Sequence, residues 1–172
     1  MNPGELLTRW SAVLALSLYV LSLALRTTAN GSRPRLVRAR AAWTAGCFFF
    51  LVHVASAFQF YHHWSHAAAY AATAQRTREL AGFEWGGGLY ANYAFTLLWL
   101  TDASFWWRGL DHYEARPRPV EWAVQCFLGF MALNGTVVFG TWAVRWFGLG
   151  ACLLLAAMWG FRVCRSRPGS PL

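Results

Sequence analysis

Hydrophobic residues fall in five long runs, at 6–25, 41–62, 88–107, 120–144 and 147–163, and the polar residues gather between them. Each run is long enough to cross a hydrocarbon layer of ~30 Å as a helix. A backbone in lipid must satisfy its own hydrogen bonds, and the runs lack the two-residue alternation of a membrane barrel strand. The pattern therefore predicts an all-α, polytopic membrane bundle of about five helices. Residues 1–165 form its single domain, with an outer connector at 63–87 and a flexible cytoplasmic tail at 166–172. The first run also has features of a secretory signal, with Arg9 ahead of an apolar core, but it leads into Arg26, Arg33, Arg35, Arg38 and Arg40, a poor sequence to translocate.

Charge turns the runs into a topology. The chain carries a formal +8 over 172 residues, and its cationic side chains are all arginine. Eleven of the fifteen lie in the connectors after runs one and three or in the tail, and only Arg9, Arg76, Arg78 and Arg145 lie on the other side. By the positive-inside rule the amino terminus is outside and the carboxyl terminus cytoplasmic, in a cell membrane. Tryptophan, which prefers the headgroup level, agrees: Trp10, Trp64, Trp85, Trp142 and Trp146 fall near outer ends, and Trp43, Trp106, Trp107 and Trp122 near inner ones. Arginines placed at span ends are topology signals and do not build a nucleic-acid face, so the bilayer is the expected partner.

Run two differs from the others. Its helical pattern continues past the membrane to about Leu80, with Gly82 as a stop. On one continuous helix Gln59, His62, His63, His66, Tyr70, Thr73 and Thr77 fall within ~40° of one line. About forty residues of straight helix would reach ~60 Å, so the chain must project, bend or lie down beyond residue 62.

That stripe holds the best candidate chemistry. His62 and His66 are four apart, and His63 and His66 three apart, spacings that let two imidazoles on one helix face share a metal ion. Two ligands are an incomplete site, and Glu84 of the same connector, or Glu5, is the candidate third. Neutral imidazole suits zinc, copper or iron. Haem b is less favoured, because it normally takes one axial histidine from each of two facing helices and the histidines beside the spans all belong to run two.

Polar residues inside the runs define two further expectations. His53, Thr96 and Asn134 lie at comparable depth and predict an interhelical hydrogen-bond layer, of the kind that selects helix register. Asp102, the acid within a span, lies level with Gln125 as an inner polar pair and is also within reach of Arg108. Asp111, His112 and Glu114 read as a solvated cytoplasmic loop. Gly129, Ala132, Gly135 and Gly140 in run four, with Ala156 and Gly160 in run five, are the small residues expected where helix backbones approach closely.

Other motifs narrow the field. Cys47, Cys126, Cys152 and Cys164 are isolated, with neither a Cys-x-x-Cys pair nor a c-type haem attachment pattern. The sequons at Asn30 and Asn134 fall in the cytoplasm and in the bilayer, where they go unmodified. Gly86–Gly88 lacks the lysine and the strand of a phosphate loop. Three classes remain: a metal or metallocofactor protein built on the outer histidines, a noncatalytic structural or accessory subunit of a larger complex or homo-oligomer, and a small transporter. The transporter is disfavoured by the few spans and by the lone intramembrane acid.

Overall fold

The computed structural model describes residues 2–138 and residue 150. The described residues are all-α: six helices and no strands. They are α1 (Pro3–Thr27), α2 (Arg33–Ala57), α3 (His66–Ala81), α4 (Gly88–Trp107), the short α5 (Leu110–Glu114) and α6 (Arg118–Leu133). A π-helical turn extends α2 over Phe58–His62, and another extends α6 over Asn134–Val138. The fifth run, residues 139–144 of the fourth, Gly140, Ala156, Gly160, Cys152, Cys164 and the tail lie outside the described residues.

Local chemistry explains the ends. α1 starts with Pro3 in its first turn, where a missing N–H costs nothing, and carries Glu5 near its amino end and Arg26 near its carboxyl end, complementing the helix dipole. Asn30 and Gly31 take left-handed backbone, with φ of 45° and 77°, and reverse the chain into α2. α6 likewise begins with proline in its first turn and Glu121 beside it. Ser65 caps α3 by accepting the Ala68 N–H, and left-handed Gly82 (φ 81°) closes it by donating its N–H to the Arg78 carbonyl.

α1 and α2 form an antiparallel hairpin whose register can be followed from end to end. A Cβ on Gly4 would strike the Phe60 ring, His53 bonds the Thr8 carbonyl, a Cβ on Gly46 would lie 3.2 Å from the Ala15 carbonyl, and Ser22 Oγ donates to the Ala39 carbonyl at 2.8 Å. Small side chains at these crossings let the backbones approach and gain dispersion contact along the whole length. α4 packs against α2 through an aromatic core in which Tyr19, Trp43, Trp99 and Trp106 join Phe50 and Phe95, with ring centroids 4.7–6.2 Å apart. α6 meets α1 where Gly129 faces the Tyr19 hydroxyl, while a Cβ on Gly135 would meet nothing within 4 Å among the described residues.

The interior is mostly apolar and aromatic, but it also takes in polar groups. Ser11, Ser22, Ser56, Asp102, Arg116 and Thr136 are inside, and Ser11, Ser22 and Thr136 return their hydroxyls to helix carbonyls. Large apolar residues face outward at helical spacing: Leu7, Trp10, Leu14 and Leu21 on α1, Leu97, Leu100 and Trp107 on α4, and Trp122, Phe130 and Leu133 on α6.

Two helical segments, Pro3–Thr27 and Arg33–His62, are long and apolar enough to cross a membrane. α4 coincides with the third run residue for residue and is long enough, but Asn92, Asp102 and its indole and phenol rings lower its mean hydropathy below theirs. α6 itself has 16 residues, and with its π-helical turn the described helix runs on to Val138.

Candidate functional site

Beyond α2, the expected continuation of run two exists but is broken. His63 (φ 47°) and Trp64 (φ 58°) are both left-handed, so α2 stops and α3 starts in a new direction at His66. The break is held by the Trp64 N–H on the Phe58 carbonyl at 3.1 Å, the Ser65 N–H on the His62 carbonyl at 2.8 Å, and the Trp64 indole N–H on Gln59 Oε1 at 2.8 Å. His62 and His66 therefore sit on different helical segments, and the single polar stripe from Gln59 to Thr77 does not form.

Each candidate ligand has another neighbour. His66 Nδ1 lies 3.0 Å from the Tyr93 hydroxyl, the His62 ring meets Phe58, and Glu84 pairs with Arg78 at 3.6 Å. Among the described residues no three His, Cys, Asp or Glu side chains gather into a group that could hold a metal ion, so the expected set of His62, His63, His66 and Glu84 is not assembled. In its place is an aromatic cluster, in which Phe58 contacts Trp64 and Tyr93, and Tyr90 contacts His66, Tyr70 and Tyr93.

The expected polar layer is also redistributed. His53 Nδ1 donates to the Thr8 carbonyl at 2.8 Å, so that nitrogen carries a proton. Thr96 Oγ1 donates to the Asn92 carbonyl of its own helix, and Asn134 Nδ2 to that of Phe130. Equal depth was legible in the sequence, but the rotation of each helix was not. Each polar side chain found a nearer backbone acceptor.

Asp102 holds the densest polar constellation, with partners other than those expected. It does not pair with Gln125, whose Oε1 is buried without a hydrogen bond, nor with Arg108. Arg116 Nη1 donates to Asp102 Oδ1 at 2.5 Å, and the Tyr113 hydroxyl donates to Oδ2 at 2.9 Å. The side chains of Asp102 and Arg116 are 4% and 5% exposed, so this charge pair is removed from solvent.

The chain delivers those partners by reversing after α4. Gly109 takes φ 150°, a conformation that strains any other residue, and α5 then folds back so that the Tyr113 ring stacks on Trp106, with centroids 4.2 Å apart and planes 7° from parallel. The Arg116 guanidinium lies 4.2 Å from the Tyr113 ring centroid and that of Arg26 lies 5.0 Å from it. Arg26 continues the network to α5 and α6, pairing with Glu114 at 3.2 Å and Glu121 at 2.7 Å. Burial, then the Asp102 charge that its hydroxyl faces, pushes the Tyr113 phenol above its usual range. One network thus ties α1, α4, α5 and α6 together at a single end of the bundle.

Glu114 and His112 are exposed, as expected, although in a short helix and with partners: Glu114 pairs with Arg26, and the His112 ring lies 5.0 Å from that of Phe105. Asp111 is exposed too, beside Arg33. Tyr113 and Arg116 were not singled out in the sequence as site residues. The available signal was Gly109 followed by Pro117, which marks a turn and a short helix after α4 and returns the residues between them toward Asp102.

Compared with the known protein families, with characterised proteins and with solved structures, the chain matches none of them.

Proposed function

We propose that this protein is a multi-pass cell-membrane protein with a noncatalytic role, a structural or accessory subunit of a membrane complex. The observation that carries the reading is the outer surface: large apolar stripes face outward on α1, α4 and α6, around a core that is itself apolar and aromatic. Water penalises such stripes, whereas acyl chains or neighbouring transmembrane helices accept them. The two apolar segments Pro3–Thr27 and Arg33–His62 support the same setting. The full reading has five spans, the amino terminus outside and the carboxyl terminus in the cytoplasm, as the arginine distribution indicates.

The interior chemistry favours a scaffold. Both oxygens of Asp102 are engaged, Arg26 bridges two glutamates, and His53 and His66 have hydrogen-bond partners. Groups held this way fix helix register rather than wait for a substrate. The exposed aromatic surface, including Trp64, Phe83, Trp85 and Tyr90 at the outer end, is the face such a subunit offers to lipid headgroups and neighbouring chains.

The test compares wild type with a His62→Ala/His66→Ala variant, both purified in detergent without chelator, by elemental analysis, absorption spectrum and thermal unfolding. The scaffold reading expects no stoichiometric metal or chromophore in either protein and closely similar melting. Stoichiometric metal in the wild type that is lost in the variant overturns it in favour of the metallocofactor class.

A further inference from the structure

On the outside of the α2–α4 pair runs an apolar groove of about 180 Å³. Cys47, Phe48 and Leu51 form one wall and Leu100, Ser104 and Trp107 the other, so it follows both helices for about two turns. Its polar residues contribute little: the Ser104 hydroxyl is turned back onto the Leu100 carbonyl, and Thr44 Oγ1 accepts the Trp107 indole N–H at 2.9 Å. That last bond links the two walls at one end of the groove. Immediately beyond it, Arg40 lies over the Trp107 ring, 4.1 Å from its centroid. Among the described residues Arg40 forms no ion pair with a carboxylate, unlike Arg26, Arg33, Arg76, Arg78 and Arg116.

An arginine with no carboxylate partner among the described residues, set at one end of an open apolar groove, matches an anionic amphiphile. We propose that this groove binds an anionic glycerophospholipid of the inner leaflet, with the phosphate at Arg40 and one acyl chain lying along Phe48, Leu51 and Leu100. The inference rests on the membrane reading above, under which Arg40 and Trp107 stand at the inner headgroup level and Leu51 and Leu100 nearer the middle of the bilayer. Indole is suited to that boundary, and a basic residue there attracts anionic headgroups. Trp107 does both jobs for the ligand: its ring walls the chain and orients the guanidinium.

The experiment is native mass spectrometry of the full chain, delipidated in detergent and titrated with phosphatidylglycerol or phosphatidylcholine. Wild type, Arg40→Ala, Ser104→Trp and Arg38→Ala are compared. Ser104→Trp fills the groove from its α4 wall, and Arg38 is an exposed arginine on the same helix that serves as the control for diffuse charge. The expected result is one retained phosphatidylglycerol in preference to phosphatidylcholine, weakened roughly fivefold by Arg40→Ala, the effect of one basic residue near an anionic headgroup. Ser104→Trp is expected to weaken it at least as much, and Arg38→Ala to leave it unchanged.

Equal loss with Arg38→Ala, equal retention of both lipids, or unchanged binding by Arg40→Ala and Ser104→Trp overturns the site. So does a Ser104→Trp protein that changes from dimer to monomer with its lipid count unaltered, which would make the groove a contact between copies. Recovery of the chain in the soluble fraction without detergent is a separate result, and it refutes the membrane reading itself.

Discussion

The Tyr113 hydroxyl sits 2.9 Å from Asp102 Oδ2 while Arg116 holds Oδ1, so one carboxylate is gripped by two residues that the chain brings back after the turn at Gly109. Removing one partner leaves the other buried and uncompensated, whereas removing both does not. Asp102→Leu or Arg116→Leu alone should therefore destabilise the bundle by about 3–5 kcal/mol, and the double substitution should recover much of that loss. A double-mutant cycle of thermal unfolding in detergent checks this, and simple additivity would contradict it.

Tyr113 makes the same end of the bundle alkali-sensitive. Its phenol is raised above the usual value of ~10 by burial and by the Asp102 charge, so the unfolded chain loses this proton before the folded one does. Its contribution to stability is thus fully present below pH ~10 and declines as the pH rises above that value. Tyr113→Phe cannot ionise and should flatten this part of the profile. It should also be less stable near neutrality by about 1.5–3 kcal/mol, the worth of a hydrogen bond to a charged group. The comparison is melting temperature against pH for the two proteins.

Gly46 tests the close crossing of α1 and α2. A Cβ there would stand 3.1 Å from the Trp99 ring, 3.2 Å from the Ala15 carbonyl and 3.3 Å from the Leu18 Cβ, and the carbonyl belongs to a helix backbone that cannot step aside alone. Gly46→Leu should cost at least the ~1–3 kcal/mol typical of an overpacked core. Gly31→Ala is a contrasting change: it has open space but φ of 77°, so its smaller loss, about 1 kcal/mol, is conformational. Thermal unfolding ranks the two, and a larger loss at Gly31 would contradict the packing account.

Much of this architecture was legible in the sequence. The third run coincides with α4, the stop at Gly82 is the left-handed cap of α3, and the prolines at 117 and 119 mark the start of α6. These signals are local, so hydrophobic length, glycine and proline carry them. The continuous histidine stripe does not form because periodicity assumes an unbroken helix. Two consecutive left-handed non-glycine residues, His63 and Trp64, leave no trace in a hydrophobic pattern, yet they place His62 and His66 on separate helical segments. Asp102 was identified as the notable intramembrane acid, but its partners depend on how α5 folds back and how each helix is rotated. Depth along the chain specifies neither.

His63 gives a sharp reading of that break. Its side chain is exposed and its backbone pays the left-handed penalty that glycine escapes, so His63→Gly should stabilise the protein by about 1 kcal/mol. If His63 contributed to a ligand set, the same substitution would destabilise the protein or release an ion. Melting temperature with elemental analysis distinguishes the outcomes.

On the function proposed above, this chain crosses a cell membrane several times with its arginine-rich connectors inside. Labelling of single cysteines in intact cells by a membrane-impermeant maleimide tests it most directly, in a background whose native cysteines are replaced by alanine. Glu84→Cys, between α3 and α4, should label in intact cells, and Asp111→Cys, exposed on α5, only after the membrane is opened. The reverse pattern, or a protein that labels at neither position in intact cells and is released to the soluble fraction on lysis, would contradict the account.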